Sequence, residues 1–189
     1  GEQFMKHILI VGALGQLGSE IALALRRKYG DNSVVLTDIR DDINRQLIES
    51  GPFYKVDCRD AKALADIVQN HHIDTVYHLA ALLSATAERS VQAAWDINMN
   101  GLMTTLEIAR TFRCAVFTPS SIGSFGPSTP KRFTPQDTIQ RPTTMYGVTK
   151  VAGELLCDYY YHKYDVDTRG VRFPGIISSM TPPGGGTTD

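Results

Sequence analysis

Tyr146 and Lys150 are four residues apart in the stretch Thr143-Thr144-Met145-Tyr146-Gly147-Val148-Thr149-Lys150. On a helix, that spacing projects both side chains from one face, one turn apart. A free phenol titrates at about 10 and is a poor base at neutral pH. An ammonium held beside it stabilises the phenolate and lowers that value, so the phenol becomes a usable general base. The same pair can also simply decorate a helix surface. What decides between these readings is what the rest of the chain brings to the same place.

A second group of residues has the chemistry of a phosphate cradle. Lys6–Val11 is a short, β-branched apolar run, as expected of a strand covered on both faces, and Gly12-Ala13-Leu14-Gly15-Gln16-Leu17-Gly18 follows it, ahead of a helical pattern over Ser19–Lys28. In a strand–turn–helix unit, Gly12 permits the tight turn and Gly15 lets backbone approach a pyrophosphate. Gly18 lets the helix pack close to the strand, and the helix N-terminus faces the phosphates. The spacing is GxxGxxG, one residue wider than GxGxxG. Gln16 and Leu17 lie within this turn and join the cofactor set.

Further candidates stand where strands are expected to end. Asp38 closes a second strand, Ser33–Thr37, twenty residues after Gly18. A carboxylate there accepts hydrogen bonds from adenosine ribose hydroxyls and repels a 2′-phosphate, which favours NAD over NADP. Ile39 and Arg40 flank it, and Arg40 is the dissenting residue, since a nearby arginine pairs with that phosphate. The alternative for Asp38 is a helix cap or a solvated loop acid. Asp57 and Cys58 end a third strand, Phe53–Asp57, within reach of an adenine amino group, although Asp there also caps the helix expected over Asp60–Asn70. Leu79, Ala80 and Ala81 follow a fourth strand, Asp74–Leu79, and offer small side chains where backbone must lie close to a ligand. Ser84 and Thr86 sit in the next loop.

The positioning elements then follow in order. Asp42–Ser50 suits a short helix. Ser90–Phe112 carries helical spacing of Val91, Ala94, Trp95, Asn98, Leu102, Leu106 and Ala109, with Trp95 and Met99 most simply packing residues. Asn98 is polar on that apolar stripe: it either braces the Tyr146 helix or is a surface amide, and both readings stand. A fifth strand, Ala115–Thr118, leads through Pro119-Ser120-Ser121 into a Pro-, Gly- and Ser-rich loop over Ile122–Arg141. Thr143–Tyr164 is the long helix of Tyr146 and Lys150. A sixth strand is expected over Thr168–Phe173, ending at Pro174. Strands alternating with helices predict an α/β, Rossmann-type doubly wound parallel sheet flanked by helices. In such sheets ligands bind beyond the carboxyl ends of the strands, where Gly12–Gly18, Asp38, Asp57, Ala80, Ser121 and Pro174 all fall.

Composition narrows the class. The 189 residues hold 19 basic and 20 acidic side chains, a net charge of -1, which gives no footing to a nucleic-acid or membrane-surface partner. Apolar runs such as Ile8–Val11 are far too short to span a bilayer. Gly1–Phe4 reads as a tag remnant ahead of Met5, and no secretory signal is visible, so a soluble, cytoplasmic protein is expected. Cys58, Cys114 and Cys157 form no CxxC pair, and the five histidines lack ligand spacing. Free thiols in a reducing compartment and no metal are the expectation.

These motifs together, GxxGxxG, Asp38, His78-Leu79-Ala80-Ala81, Ser120-Ser121 and Tyr146-Gly147-Val148-Thr149-Lys150, resemble the extended short-chain dehydrogenase/reductase family. More narrowly, several stretches resemble its NAD-dependent L-threonine 3-dehydrogenase branch. They are Ala80–Ala85, Pro119–Ile122, Phe125-Gly126-Pro127, Ile139–Pro142, Arg172–Ser178 and Pro182–Asp189. The resemblance implies oxidation of the 3-hydroxyl of L-threonine to 2-amino-3-oxobutanoate, with Tyr146 as base, Lys150 lowering its pKa and holding the nicotinamide ribose, and Ser121 orienting the substrate oxygen. Ser84 and Thr187 are its candidates for the substrate's ammonium and carboxylate. For Ser121 the alternative is a hydroxyl capping a strand end, and for Thr187 an ordinary loop residue. The resemblance also implies a homodimer through the helices ending near Phe112 and Tyr164. It further implies a chain cut short, with residues 5–177 as the NAD-binding domain and 178–189 as the start of a smaller substrate lobe. The rival readings are a sugar-nucleotide epimerase or dehydratase on the same core, in which NAD is recovered unchanged, and a non-catalytic NAD-binding module.

Overall fold

The computed structural model describes residues 6–119 and 141–174. Five parallel strands form one sheet: β1 (Ile8–Val11), β2 (Val34–Asp38), β3 (Phe53–Lys55), β4 (Thr75–His78) and β5 (Ala115–Phe117), in the order β3-β2-β1-β4-β5. Ile8 faces Val34 on one side and Thr75 on the other, so β1 is the central strand. Because side chains alternate along a strand, one strand feeds two cores. Ile8 and Ile10 pack with Ile21, Leu25 and Leu36 on the face covered by α1 (Gln16–Tyr29) and α2 (Arg45–Glu49). Leu9 and Val11 pack with Leu64, Ile67, Leu106 and Tyr160 on the face covered by α3 (Ala61–Asn70), α6 (Gly101–Phe112) and α7 (Met145–Tyr164). The arrangement is the expected doubly wound parallel sheet.

A buried arginine locks the first half together. Arg26, 4% exposed, donates to the carbonyls of Val34, Leu47 and Pro52 and to Ser50 Oγ. Burial lowers its pKa, with Asp31 opposing the shift. One guanidinium thereby ties the start of β2 to the turn between α2 and β3 through buried backbone carbonyls.

Four expectations are corrected. Thr168–Phe173 is not a strand: Asp167 Oδ1 accepts from the amides of Arg169 and Gly170, and this turn uses up the first residues of the segment. One backbone bond, Val116 N to Asp167 O at 2.8 Å, and the ring of Phe173 against Phe117 tie the segment to β5. Pro174 therefore follows no strand. The loop expected around Ser84 and Thr86 is a short helix, α4 (Ser84–Arg89), which buries Ala87. The helix expected over Ser90–Phe112 is present as a continuous helical run, α5 (Val91–Trp95) and α6 joined by a π-helical turn over Asp96–Asn100. Trp95, expected in the packing, is 47% exposed. The thiols are as expected: Cys58, Cys114 and Cys157 are free and buried, and burial raises their pKa values to about 11, 11 and 12.

Candidate active site

The glycine turn is fixed by the protein at two of its three glycines. Gly12 has φ of +84°, and a Cβ there would sit 2.5 Å from Ala80 N. A Cβ on Gly18 would collide with Gly12 O. The amides of Gly12 and Ala13 both donate to Thr37 O at 3.0 Å, strapping the turn to the end of β2. Gly15 differs. A Cβ there would meet nothing nearer than Gly12 O at 3.8 Å, so its exposed face stays free for a ligand. Gly15 is also the N-cap of α1; no side chain caps that helix, and its first turn holds no acid. An open glycine at an uncapped, positively polarised helix end fits a dinucleotide pyrophosphate.

Asp38 stands at the tip of β2, half-buried, with Oδ2 accepting from Leu14 N at 2.9 Å and Oδ1 from Arg40 N at 3.1 Å. Each oxygen retains acceptor capacity for a ribose hydroxyl. Arg40 is exposed and turned toward Asp42 at 3.9 Å, and Ile39 is 55% exposed. Asp57 lies two residues beyond Lys55, the last residue of β3. Its carboxylate is clasped by Arg59, whose Nη2 approaches Oδ2 to 2.6 Å, and this hydrogen bonding holds the Asp57 pKa down at about 2 against partial desolvation. Arg59 also pairs with Asp96, while the cap of α3 is Asp60, accepting from Ala63 N. Cys58 is core. Leu79 donates its amide to Val11 O, and Ala80 lies directly against Gly12, so the β4 end closes onto the glycine turn.

The phenol–amine pair is on α7 as expected, at its start. Thr144 Oγ1 caps the helix by accepting from Gly147 N at 3.0 Å, and Glu88 of α4 accepts from Met145 N at 2.5 Å. Lys150 Nζ lies 5.6 Å from the centroid of the Tyr146 ring. Burial lowers the Lys150 pKa to about 8, partly opposed by Cys157 and Glu154. The group is an ammonium below that pH, available to stabilise a phenolate. Nearby, His78 at the end of β4 is 3% exposed, with Nδ1 2.8 Å from Thr105 Oγ1 and Nε2 without a protein partner. Burial, with the Lys150 charge adding to it, lowers the His78 pKa to about 4, so the ring is neutral at physiological pH.

Asn98 is 9% exposed and braces two elements. Its Oδ1 accepts from Leu82 N at 2.7 Å, and Nδ2 donates to Leu82 O at 3.2 Å and to Thr149 Oγ1 at 3.0 Å. Of the two readings open at the level of sequence, the brace is the one observed. Ser84 is the first residue of α4 and half-buried. Ser121 and Thr187 lie outside the described residues. Thr149, Glu88 and Arg59 were not singled out by sequence, because what matters about each is a contact between elements. Among the described residues no group of His, Cys, Asp and Glu could hold a metal, and no helix is long and apolar enough to cross a membrane.

Comparison with known proteins adds to this geometry. Residues 8–187 match the model of the NAD dependent epimerase/dehydratase family. The chain belongs to that family. Its cofactor is NAD. An uncharacterised epimerase/dehydratase of Staphylococcus haemolyticus is 58% identical over 185 residues, 98% of this chain and 58% of that protein. The chain thus spans less than two thirds of the length of the curated relatives it matches. Among solved structures, L-threonine dehydrogenase of Clostridium difficile is 56% identical with a TM-score of 0.82, covering 99% of this chain and 59% of that one. L-threonine 3-dehydrogenase of Trypanosoma brucei is 42% identical with a TM-score of 0.81, covering 98% and 58%.

Proposed function

We propose that this chain is the NAD-binding portion of an L-threonine 3-dehydrogenase, oxidising the substrate 3-hydroxyl to give 2-amino-3-oxobutanoate. The observation that carries the reading is the 56% identity and TM-score of 0.82 to the Clostridium difficile enzyme over nearly all of this chain. Within the family the rival is a sugar-nucleotide epimerase or dehydratase, and the family match accommodates both.

NAD+, when bound, would supply the acceptor for the hydride that leaves the substrate carbon. The chain's own residues supply the rest. Gly12, Gly15, Gly18 and the N-terminus of α1 hold the pyrophosphate; Gln16 and Leu17 border it. Asp38 takes the ribose hydroxyls, flanked by Ile39 and Arg40. Asp57, Cys58, Leu79, Ala80, Ala81, Asn98 and Pro174 complete the cofactor site. Tyr146, as phenolate, removes the proton from the 3-hydroxyl, and Lys150 stabilises that phenolate and holds the nicotinamide ribose. Ser121 orients the substrate oxygen, with Ser84 and Thr187 toward the ammonium and carboxylate. Residues 178–189 open the substrate region. A homodimer packs through α6 and α7, consistent with exposed Trp95, Met103, Leu155 and Tyr159 along the α5–α7 region.

The test is net NADH formation by the full-length protein. Accumulation with L-threonine, and none with UDP-sugars, is the expected result. Conversion of a UDP-sugar with NAD recovered unchanged would move the assignment to the epimerase reading.

A further inference from the structure

Thr149 stands immediately before Lys150, and its hydroxyl is used twice. Thr149 Oγ1 accepts from Asn98 Nδ2 at 3.0 Å and donates to Tyr146 O, also at 3.0 Å. Thr149 is 4% exposed. The relay behind it is complete: Asn98 forms a two-bond amide pair with the backbone of Leu82, in the segment just past Ala80 and Ala81. Asn98 itself sits on the π-helical turn Asp96–Asn100, a local widening of the kind that recurs at functional sites. A line of hydrogen bonds therefore runs from the end of β4, against which the glycine turn packs, through Asn98 and Thr149 to the main chain of Tyr146.

We propose that Thr149 is a positioning residue for proton transfer: its hydroxyl registers the first turn of α7, and with it the Tyr146 phenol, against the β4 end where the cofactor lies. The inference rests on the Tyr146 reading above. The Asn98–Thr149 bond ties this turn to the segment that follows β4. Val148 on its outer side is exposed, and the caps from Thr144 and Glu88 hold the helix end without linking it to the sheet. Inside a buried network the hydroxyl–amide bonds are stronger than at the surface, and losing the Thr149 hydroxyl leaves Asn98 Nδ2 an acceptor short.

Thr149→Val keeps the β-branched shape and removes only the hydroxyl, whereas Thr149→Ser keeps the hydroxyl. Both are compared with wild type in the full-length protein, with L-threonine or, if that is what it converts, a UDP-sugar. The proton transfer is common to the two. Since a misplacement of about 1 Å costs on the order of 10²-fold, Thr149→Val is expected to lower kcat about ten-fold or more. The KM for NAD should stay within about two-fold, the acid limb of the kcat–pH profile should move to higher pH, and Thr149→Ser should restore both kcat and the limb. A Val variant with wild-type kcat and pH limb, or one whose loss Ser does not relieve, would overturn the proposal. Tyr146→Phe run alongside separates the failures: turnover retained there removes the Tyr146 reading itself, whereas turnover lost there but kept in Thr149→Val removes only the relay.

Discussion

The two halves of the site are held in place by different forces. The nucleotide half, β1 to β2, is set by backbone meeting backbone: Gly12 against Ala80, Gly18 against Gly12, and two amides on Thr37 O. The catalytic half is set by polar side chains that bridge elements far apart in sequence: Asn98 to Thr149, Glu88 to Met145, and Asn98 to Leu82. Steric constraints admit almost no substitution, while a polar brace can be loosened one hydrogen bond at a time. In the proposed mechanism, rigidity thus sits where the cofactor would be gripped, and adjustable geometry where a proton would move.

The largest effect that could break this comparison is at Gly18. Gly18→Ala forces a Cβ into backbone that cannot move like a side-chain tip, so a stability loss of about 4 kcal/mol or more is expected, in the range of severe core changes. Urea unfolding would show it, and a near-normal midpoint would mean that the turn is not sterically set. Gly15→Ala sharpens the contrast. With no atom nearer than 3.8 Å, it should unfold within about 1 kcal/mol of wild type yet bind NAD about ten-fold more weakly, as read by NAD titration. A normal NAD affinity there would show that the open face of Gly15 does not meet the cofactor.

On the catalytic side, His78 predicts a pH dependence. Its folded pKa of about 4 lies below the ordinary 6.5, so the unfolded chain takes up a proton first. Stability is fully present above about pH 6.5 and falls as pH drops toward 4, by about 3 kcal/mol in all. Asp57, with its folded value near 2 and an ordinary value of 3.8, adds to the loss only below that window. His78→Leu should flatten the denaturation midpoint between pH 6.5 and 4; an unchanged slope would mean that the ring already charges in the fold. The smallest effect belongs to the Asp57–Arg59–Asp96 group. Its side chains are about a third or more exposed, so Arg59→Ala should cost less than about 1 kcal/mol, the ceiling for exposed pairs. A larger loss in unfolding experiments would make this cluster part of the frame.

The same contrast explains what the sequence makes legible. A β-branched run, three spaced glycines and an acid at the next strand end are all local, so β1, the turn, α1 and Asp38 can be read directly. The Tyr146–Lys150 spacing is local too. The π-helical turn leaves no such trace, because its cue is a helix register that Asn98, Leu82 and Thr149 settle together. Helix α4 escapes notice because only Ala87 is buried among its six residues. Thr168–Phe173 misleads because its apolar residues look like a strand, while Asp167 turns the backbone before pairing begins. Asn98 was recognisable as an anomaly, a polar residue on an apolar stripe, but its partner fifty-one positions away was not.

The phenol and the amine of α7 remain the centre of the account, and the turnover of Tyr146→Phe tests them most directly. The full-length variant is expected to bind NAD as wild type does while the rate of NADH formation with L-threonine falls by roughly 10²-fold or more, the loss typical of a removed general base. A variant that bound NAD normally and turned over at a near wild-type rate would contradict it.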